Sequence, residues 1–215
     1  MIRLLCLLIG YVFGLFQTAY FYGRLHGIDI RTKGSGNAGT TNTLRVLGRK
    51  AGIIVLIGDI LKTVLAITLV RWLVVPCVPE LEELLVLYTA AGAILGHNYP
   101  FYLGFKGGKG IAATAGLLIA FDPWFVLVGA VLFFGAFFCS HYVSLGSLLV
   151  YAGFVVQLMV MGQYGYFGDL SQRVLNEMYV IAILLMLMAY WKHRENIKRL
   201  WTHTERKTYL SKKKE

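Results

Sequence analysis

Ile111-Ala-Ala-Thr-Ala-Gly-Leu-Leu-Ile-Ala-Phe-Asp122-Pro123-Trp124 opens an apolar run that continues to Ser140, and its reading decides the fold. Thirty residues as one helix would measure about 45 Å, too long for an upright crossing of a hydrocarbon core of about 30 Å. Asp122-Pro123 near the middle marks a turn, because the residue before a proline avoids the helical region. The run therefore predicts two short helices, Ile111–Phe121 and Trp124–Cys139. A helix of eleven residues reaches roughly half the core, so its free backbone ends must face protein or a watery cavity.

Working outward, apolar runs long enough to cross a bilayer lie at about Leu4–Tyr22, Ala51–Val75, Leu84–Tyr102, Tyr142–Gln163 and Val174–Trp191. With the divided run the total is seven transmembrane helices, two of them short. The chain is 57% hydrophobic and 15% charged, with a mean hydropathy of +0.64. Soluble domains carry about a quarter charged residues, so a soluble sandwich or nucleotide-binding domain is excluded, as is disorder. A single membrane domain spanning residues 1–215 follows.

Charge sets the orientation. The loop from Arg24 to Lys50 holds six basic residues, the next basic loop carries Lys106 and Lys109, and nine Lys/Arg follow Trp191. The positive-inside rule places all three at the cytoplasmic face. The Pro76–Glu83 loop has three glutamates and no Lys or Arg, and belongs outside. Parity then requires an N-terminus outside and a cytoplasmic C-terminus, and it is satisfied only if the long run crosses twice. The basic excess is thus topological and implies no nucleic-acid partner. Cys6, Cys77 and Cys139 are odd in number and show no ligand spacing, so they read as small buried apolar residues and not as disulfides or a zinc site. Arg71 reads as a snorkelling cation and Lys212-Lys213-Lys214 as a solvated anchor.

Two loops carry chemistry. Gly104-Phe-Lys-Gly-Gly-Lys-Gly110 feeds directly into the Ile111 helix. Converging backbone N–H groups of its glycines, the helix N-terminus, and the cations Lys106 and Lys109 suit a phosphate; a flexible hairpin with topogenic lysines is the plainer alternative. The nucleotide-binding Walker pattern fails, since Leu103 occupies the first glycine position and Gly110 follows Lys109. Gly34-Ser-Gly-Asn-Ala-Gly-Thr-Thr-Asn-Thr-Leu-Arg45 is a second loop opening a helix. Arg45 matches phosphate bidentately, and Ser35, Asn37, Thr41 and Asn42 are short donors, although an ordinary capped turn has the same composition.

Between the loops, Gly96-His-Asn-Tyr-Pro100 offers His97 as a general base, a phosphate donor or an interfacial histidine. Asp59 and Lys62, at i, i+3 inside a span, read as a self-neutralising pair. Ser144 and Ser147 share a helix face and also fit helix packing. In the segment after Tyr190, His193, Asn196 and Leu200 share a face, Glu195 and Arg199 stand at i, i+4, and a basic helix on anionic headgroups is the plain reading. No histidine has an acid five positions on, and no carboxylate cluster suggests a metal. The alternatives at this level are an organophosphate carrier or a lipid-binding scaffold; the absence of repeated halves and the gathering of motifs at one face weigh against a carrier.

These motifs, with Val143-Ser-Leu-Gly-Ser147, Asp59-Ile-Leu-Lys62 and His193-Arg-Glu-Asn-Ile-Lys-Arg-Leu200, resemble over nearly the whole chain the bacterial integral-membrane acyl-phosphate-dependent glycerol-3-phosphate acyltransferases of the PlsY type. The resemblance implies acyl transfer from acyl phosphate to glycerol 3-phosphate in the bacterial cell membrane, at its cytoplasmic face, without cofactor or metal. It implies that Ser35, Arg45 and Lys109 hold phosphate, with Lys106 and the N–H groups of Gly107, Gly108 and Gly110 completing the loop, and that His97, Asn98, His193 and Asn196 orient substrates. Two places depart from the family pattern: His141 stands where many relatives have arginine, and Thr202-His-Thr-Glu lacks a glycine common before Thr-Glu.

Overall fold

The computed structural model describes residues 1–209 of the chain, so the Lys212–Lys214 anchor lies outside the described residues. These residues form nine α-helices: α1 (Ile2–Gly14), α2 (Thr18–Leu25), α3 (Thr40–Leu73), α4 (Glu82–Asn98), α5 (Ile111–Phe121), α6 (Pro123–Ser140), α7 (Val143–Gln163), α8 (Gln172–Lys192) and α9 (Arg194–Trp201). Five stretches are long and apolar enough to cross a membrane: Ile2–Leu25, Thr40–Cys77, Pro123–Ser140, Val143–Gln163 and Gln172–Lys192. The 17-residue α4 and the 11-residue α5 fill the interior between them. Large apolar side chains such as Leu8, Ile57, Val131, Phe138 and Leu184 are exposed on the outside, the inverse of a soluble surface and the expected solution in lipid. The chain is an all-helical, multi-pass membrane protein.

The predicted division at Asp122-Pro123 is present for the expected physical reason. Asp122 is extended (φ −165°, ψ 143°), its Oδ1 accepts from the Trp124 N–H at 2.8 Å, and Pro123 begins α6. Both ends of α5 avoid lipid. Its first residues face an internal cavity, while at its other end the Ala120 carbonyl accepts from Arg71 Nη1 at 2.5 Å. Arg71, which also bonds Glu82 at 2.8 Å, is therefore a helix-end partner and not a free snorkelling cation.

Three helix boundaries differ from expectation. The first apolar run is broken into α1 and α2, with Gln17 at the break donating to the carbonyls of Gly14, Gly96 and His97. α4 ends at Asn98 instead of Tyr102, since Pro100 cannot continue it. α3 begins eleven residues before Ala51 and kinks at Gly48, whose φ of +87° only glycine adopts freely. The kink separates the short piece carrying Arg45 from the membrane-length remainder.

α1 and α4 run parallel at glycine contact. A Cβ added at Gly10 or Gly14 would strike the backbone of Thr89 or Ala93, and one at Gly92 or Gly96 that of Leu7 or Tyr11. Such small-residue faces let backbones approach where no hydrophobic force drives association. The main apolar core joins α4, α5, α7 and α8 through Ile94, Leu117, Phe154 and Met178. At the end of the bundle away from the cavity, Arg3 and Tyr88 converge on Glu177 at 2.6 and 2.7 Å. Of the cysteines only Cys6 is buried; Cys77 and Cys139 are exposed, contrary to their reading as core residues, because their helical positions face outward.

Candidate active site

At the other end of the bundle lies a cavity of about 460 Å³. The first residues of four helices line it: Thr40 and Thr41 of α3, Ile111 and Ala112 of α5, Val143 and Ser144 of α7, and Arg194 to Asn196 of α9. Helix N-termini carry unpaired N–H groups and partial positive charge. Six cations, Arg45, Lys109, Lys192, Arg194, Arg199 and Arg206, share the wall with three carboxylates, Asp59, Glu195 and Glu205. The lining therefore carries an excess of positive charge.

The two loops do converge. Ser35, Asn37, Thr41, Asn42 and Arg45 line the cavity from the first loop, Lys109 and Gly110 from the second, and His97, Ser144, His193 and Asn196 from the helices. Their roles differ from one another. Asn42 lines the wall but is fully engaged in shaping the loop: its Oδ1 accepts from the Ser35 N–H at 2.8 Å, and its Nδ2 donates to the Ile30 and Lys33 carbonyls. Arg45 Nη2 donates to Thr208 Oγ1 at 2.9 Å. Lys109 donates to Asn196 Oδ1.

Part of the glycine nest is corrected by the geometry. The Gly107 N–H donates to the Asn98 carbonyl at 3.3 Å and the Gly108 N–H to the His97 carbonyl at 3.1 Å, so neither is free for a ligand, and neither residue lines the cavity. These glycines are required by close approach: a Cβ on Gly107 would overlap the His97 carbonyl, and one on Gly108 its imidazole. Gly110 alone keeps the expected place, in the left-handed region (φ +86°) at the N-cap of α5. Lys106 is exposed and outside the cavity. Asn98 is fully buried behind it, with both amide atoms unpartnered among the described residues.

Burial tunes the charged groups. Desolvation, followed by the positive charge of Arg199, lowers the Lys109 ammonium to about 8. Desolvation also lowers His193 to about 4, leaving it neutral at physiological pH. Its Nδ1 lies 2.8 Å from the Ala189 carbonyl, an acceptor, so the ring proton sits on Nδ1. For Glu205 burial acts against the charge, but hydrogen bonds from Asn196, Arg199 and Ser144 outweigh it and hold the carboxyl below its ordinary value.

Glu205 is the main residue the sequence reading missed. It accepts from Ser144 at 2.9 Å, Asn196 at 2.6 Å and Arg199 at 2.7 Å, tying α7 and α9 to the segment after α9. That contact replaces the expected Glu195–Arg199 pair, and it makes α9 a wall of the cavity in addition to a basic surface helix. Thr208, reaching both Arg45 and the His141 carbonyl, extends the same strap. The only signal in the sequence was the Thr204-Glu205 pair itself.

A second cavity of about 440 Å³ adjoins the first and shares Thr40, Thr41, Ile111, Ala112 and Val143 with it. Apart from these residues and Arg49 and Thr208, its lining is apolar: Ile53, Leu56, Ile60, Ile119 and Phe133 among others, from α3, α5 and α6. A polar, cationic chamber thus opens beside an apolar groove.

Residues 4–203 match the model of the glycerol-3-phosphate acyltransferase family. The chain is 38% identical over 211 residues to glycerol-3-phosphate acyltransferase 2 of Bacillus cereus (97% of this chain, 96% of the relative) and 38% identical over 211 residues to the glycerol-3-phosphate acyltransferase of Halalkalibacterium halodurans, with the same coverage. Its structure is similar to crystal structures of PlsY, an integral membrane glycerol 3-phosphate acyltransferase. The similarity is at TM-score 0.80 and 29% identity for the glycerol 3-phosphate form, and TM-score 0.77 and 28% identity for the lysophosphatidic acid form, each covering 96% of this chain. With the fold, the cationic chamber and these relatives in agreement, the chain belongs to the glycerol-3-phosphate acyltransferase family and is a membrane-embedded acyltransferase.

Proposed function

We propose that the protein transfers a fatty acyl group from acyl phosphate to the 1-hydroxyl of glycerol 3-phosphate, giving lysophosphatidate and inorganic phosphate. The observation that carries this reading is the pair of adjoining cavities: one cationic and ringed by helix N-termini, the other apolar and open along α3, α5 and α6. A substrate pair with two phosphates and one long hydrocarbon chain matches that division. The acyl chain occupies the groove and both phosphates sit in the chamber, so the acyl carbonyl falls near the shared wall at Thr41 and Ile111.

In the proposed step the 1-hydroxyl oxygen attacks the acyl carbon, the bond from that carbon to the phosphate oxygen breaks, and phosphate leaves carrying the electron pair. The hydroxyl proton passes to an oxygen of the departing phosphate. Arg45, Lys109 and the N-terminus of α5 stabilise the charge that develops on that phosphate. Acyl phosphate is already activated, so no enzyme nucleophile and no cofactor are needed, in keeping with a sequence in which no histidine has an acid five positions on. Ser35, Asn37, Thr41, Ser144, His193 and Asn196 are assigned to substrate binding. His193, protonated on Nδ1, turns a lone pair on Nε2 to accept from a hydroxyl.

The same reading carries a single catalytic domain over residues 1–215, seven crossings with the N-terminus outside, and an active site at the cytoplasmic face of a bacterial inner membrane. The basic loops beside the cavity and the glutamate-rich loop at the opposite end support that orientation. The test mixes purified protein in detergent with acyl phosphate and labelled glycerol 3-phosphate. Lysophosphatidate and inorganic phosphate should appear in equal amounts, and a folded protein that forms neither would refute the proposal.

A further inference from the structure

Beneath the cavity floor lies a cluster that the reaction above does not use. Lys62 of α3 is buried, and its ammonium has three partners: Asp59 Oδ1 at 2.9 Å, the Phe16 carbonyl at 2.8 Å and His97 Nδ1 at 2.8 Å, whereas His97 Nδ1 stands 3.6 Å from Asp59 Oδ1, beyond hydrogen-bond distance. Asp59 Oδ1 also accepts from Thr18 Oγ1 at 3.0 Å. Asp59 and His97 line the cavity, but Lys62 does not.

The donor count is decisive. A lysine ammonium has three N–H groups and no acceptor, and here it meets three acceptors. Phe16 contributes a carbonyl, which can only accept, and Asp59 a carboxylate. The ammonium and the carboxylate, 2.9 Å apart, together make a neutral buried cluster; moving the proton to His97 would trade that contact for one at 3.6 Å, outside hydrogen-bond distance. With an ammonium hydrogen pointing at it, His97 Nδ1 must present its lone pair, and the neutral imidazole then carries its proton on Nε2. Nε2 lies against Gly108, close enough that a Cβ there would overlap it, and no hydrogen bond within the described residues engages it.

We propose that Lys62 is a positioning residue that locks His97, which lines the cavity, in the Nε2–H tautomer, so that any hydrogen bond His97 makes to a bound substrate is one it donates and not one it accepts. His193 is held the opposite way, with Nδ1 protonated toward the Ala189 carbonyl. The two cavity histidines therefore carry opposite polarity on Nε2: His97 a proton and His193 a lone pair. The assignment of substrate rests on the function proposed above, but the tautomer itself does not.

The experiment is nitrogen-15 NMR of the full-length protein in lipid, labelled at histidine. His97 is identified by the signal lost in His97→Gln and His193 by the signal lost in His193→Gln. His97 should show a single neutral form protonated on Nε2, and His193 one protonated on Nδ1. An Nδ1–H or imidazolium signal for His97 overturns the proposal whatever the activity. Turnover provides a second arm. The glutamine of His97→Gln can place an N–H where Nε2 stood, and the asparagine of His97→Asn cannot, so the glutamine variant should retain at least about tenfold more turnover. Equal losses in both overturn the donor role.

The double variant Asp59→Asn/Lys62→Met removes both charges together. It should show mixed His97 tautomers and a fall in kcat of about tenfold or more; an unchanged tautomer with wild-type turnover would remove Lys62 from the argument. Should that variant fail to fold, the wild-type spectrum decides alone. A wild-type protein with the expected spectrum and no acyltransferase activity would refute the proposed function and leave the tautomer lock intact.

Discussion

Lys109→Met should make the empty protein more stable while disabling it. Holding the Lys109 ammonium at about 8 instead of 10.5 corresponds to about 3 kcal/mol of unfavourable charge burial at neutral pH. Methionine keeps the stem and removes the charge, but leaves Asn196 Oδ1 without its donor, a loss of about 1 kcal/mol. The net expectation is stabilisation of about 2 kcal/mol, or a rise in melting temperature of several degrees for a chain of this size.

The sign with pH follows from the lowered value. Between pH 8 and 10.5 the unfolded chain binds the proton and the folded one does not, so wild-type stability from this group rises with pH across that window and is flat below it. The variant's advantage should therefore shrink as pH rises from 8 toward 10. Inorganic phosphate reverses the order, because it binds only the folded form and binds the wild type better. Thermal unfolding in detergent, followed by tryptophan fluorescence with and without phosphate, gives both quantities. A Lys109→Met protein that melts lower than wild type and turns over normally would refute the claim that this cation is held under strain to grip phosphate.

Arg45→Ala should reduce turnover at least tenfold, about 1.4 kcal/mol of transition-state stabilisation, as measured by lysophosphatidate formation. Gly92→Ala places a methyl group against the Leu7 carbonyl and should lower the melting temperature markedly, whereas Gly135→Ala, with nothing within 4 Å, should leave it unchanged. Ala115→Phe narrows the apolar groove and should shift preference to shorter acyl chains in a competition assay. Each methylene excluded from the groove is worth about 0.8 kcal/mol, so two should change the ratio of kcat/KM by about tenfold.

The sequence by itself determined the elements whose signals are local. Apolar run length located the membrane-length helices because a bilayer has a fixed thickness, and Asp122-Pro123 divided the long run because proline constrains its predecessor; loop charge gave the orientation proposed above. The glycine loops and Arg45 pointed to a phosphorylated ligand, since phosphate recognition draws on a small set of groups. What the tertiary structure decided concerns partners far apart along the chain. Glycines 107 and 108 look like a nest in sequence, but their N–H groups are taken by carbonyls of α4. Glu205 became visible only when α7, α9 and the final strap met around it. Asp59 and Lys62 paired as their spacing suggested, yet that spacing contains no information about His97, which stands 35 residues on from Lys62. A buried ion pair takes its function from whatever third group the fold brings to it, and that is fixed by helix packing in three dimensions.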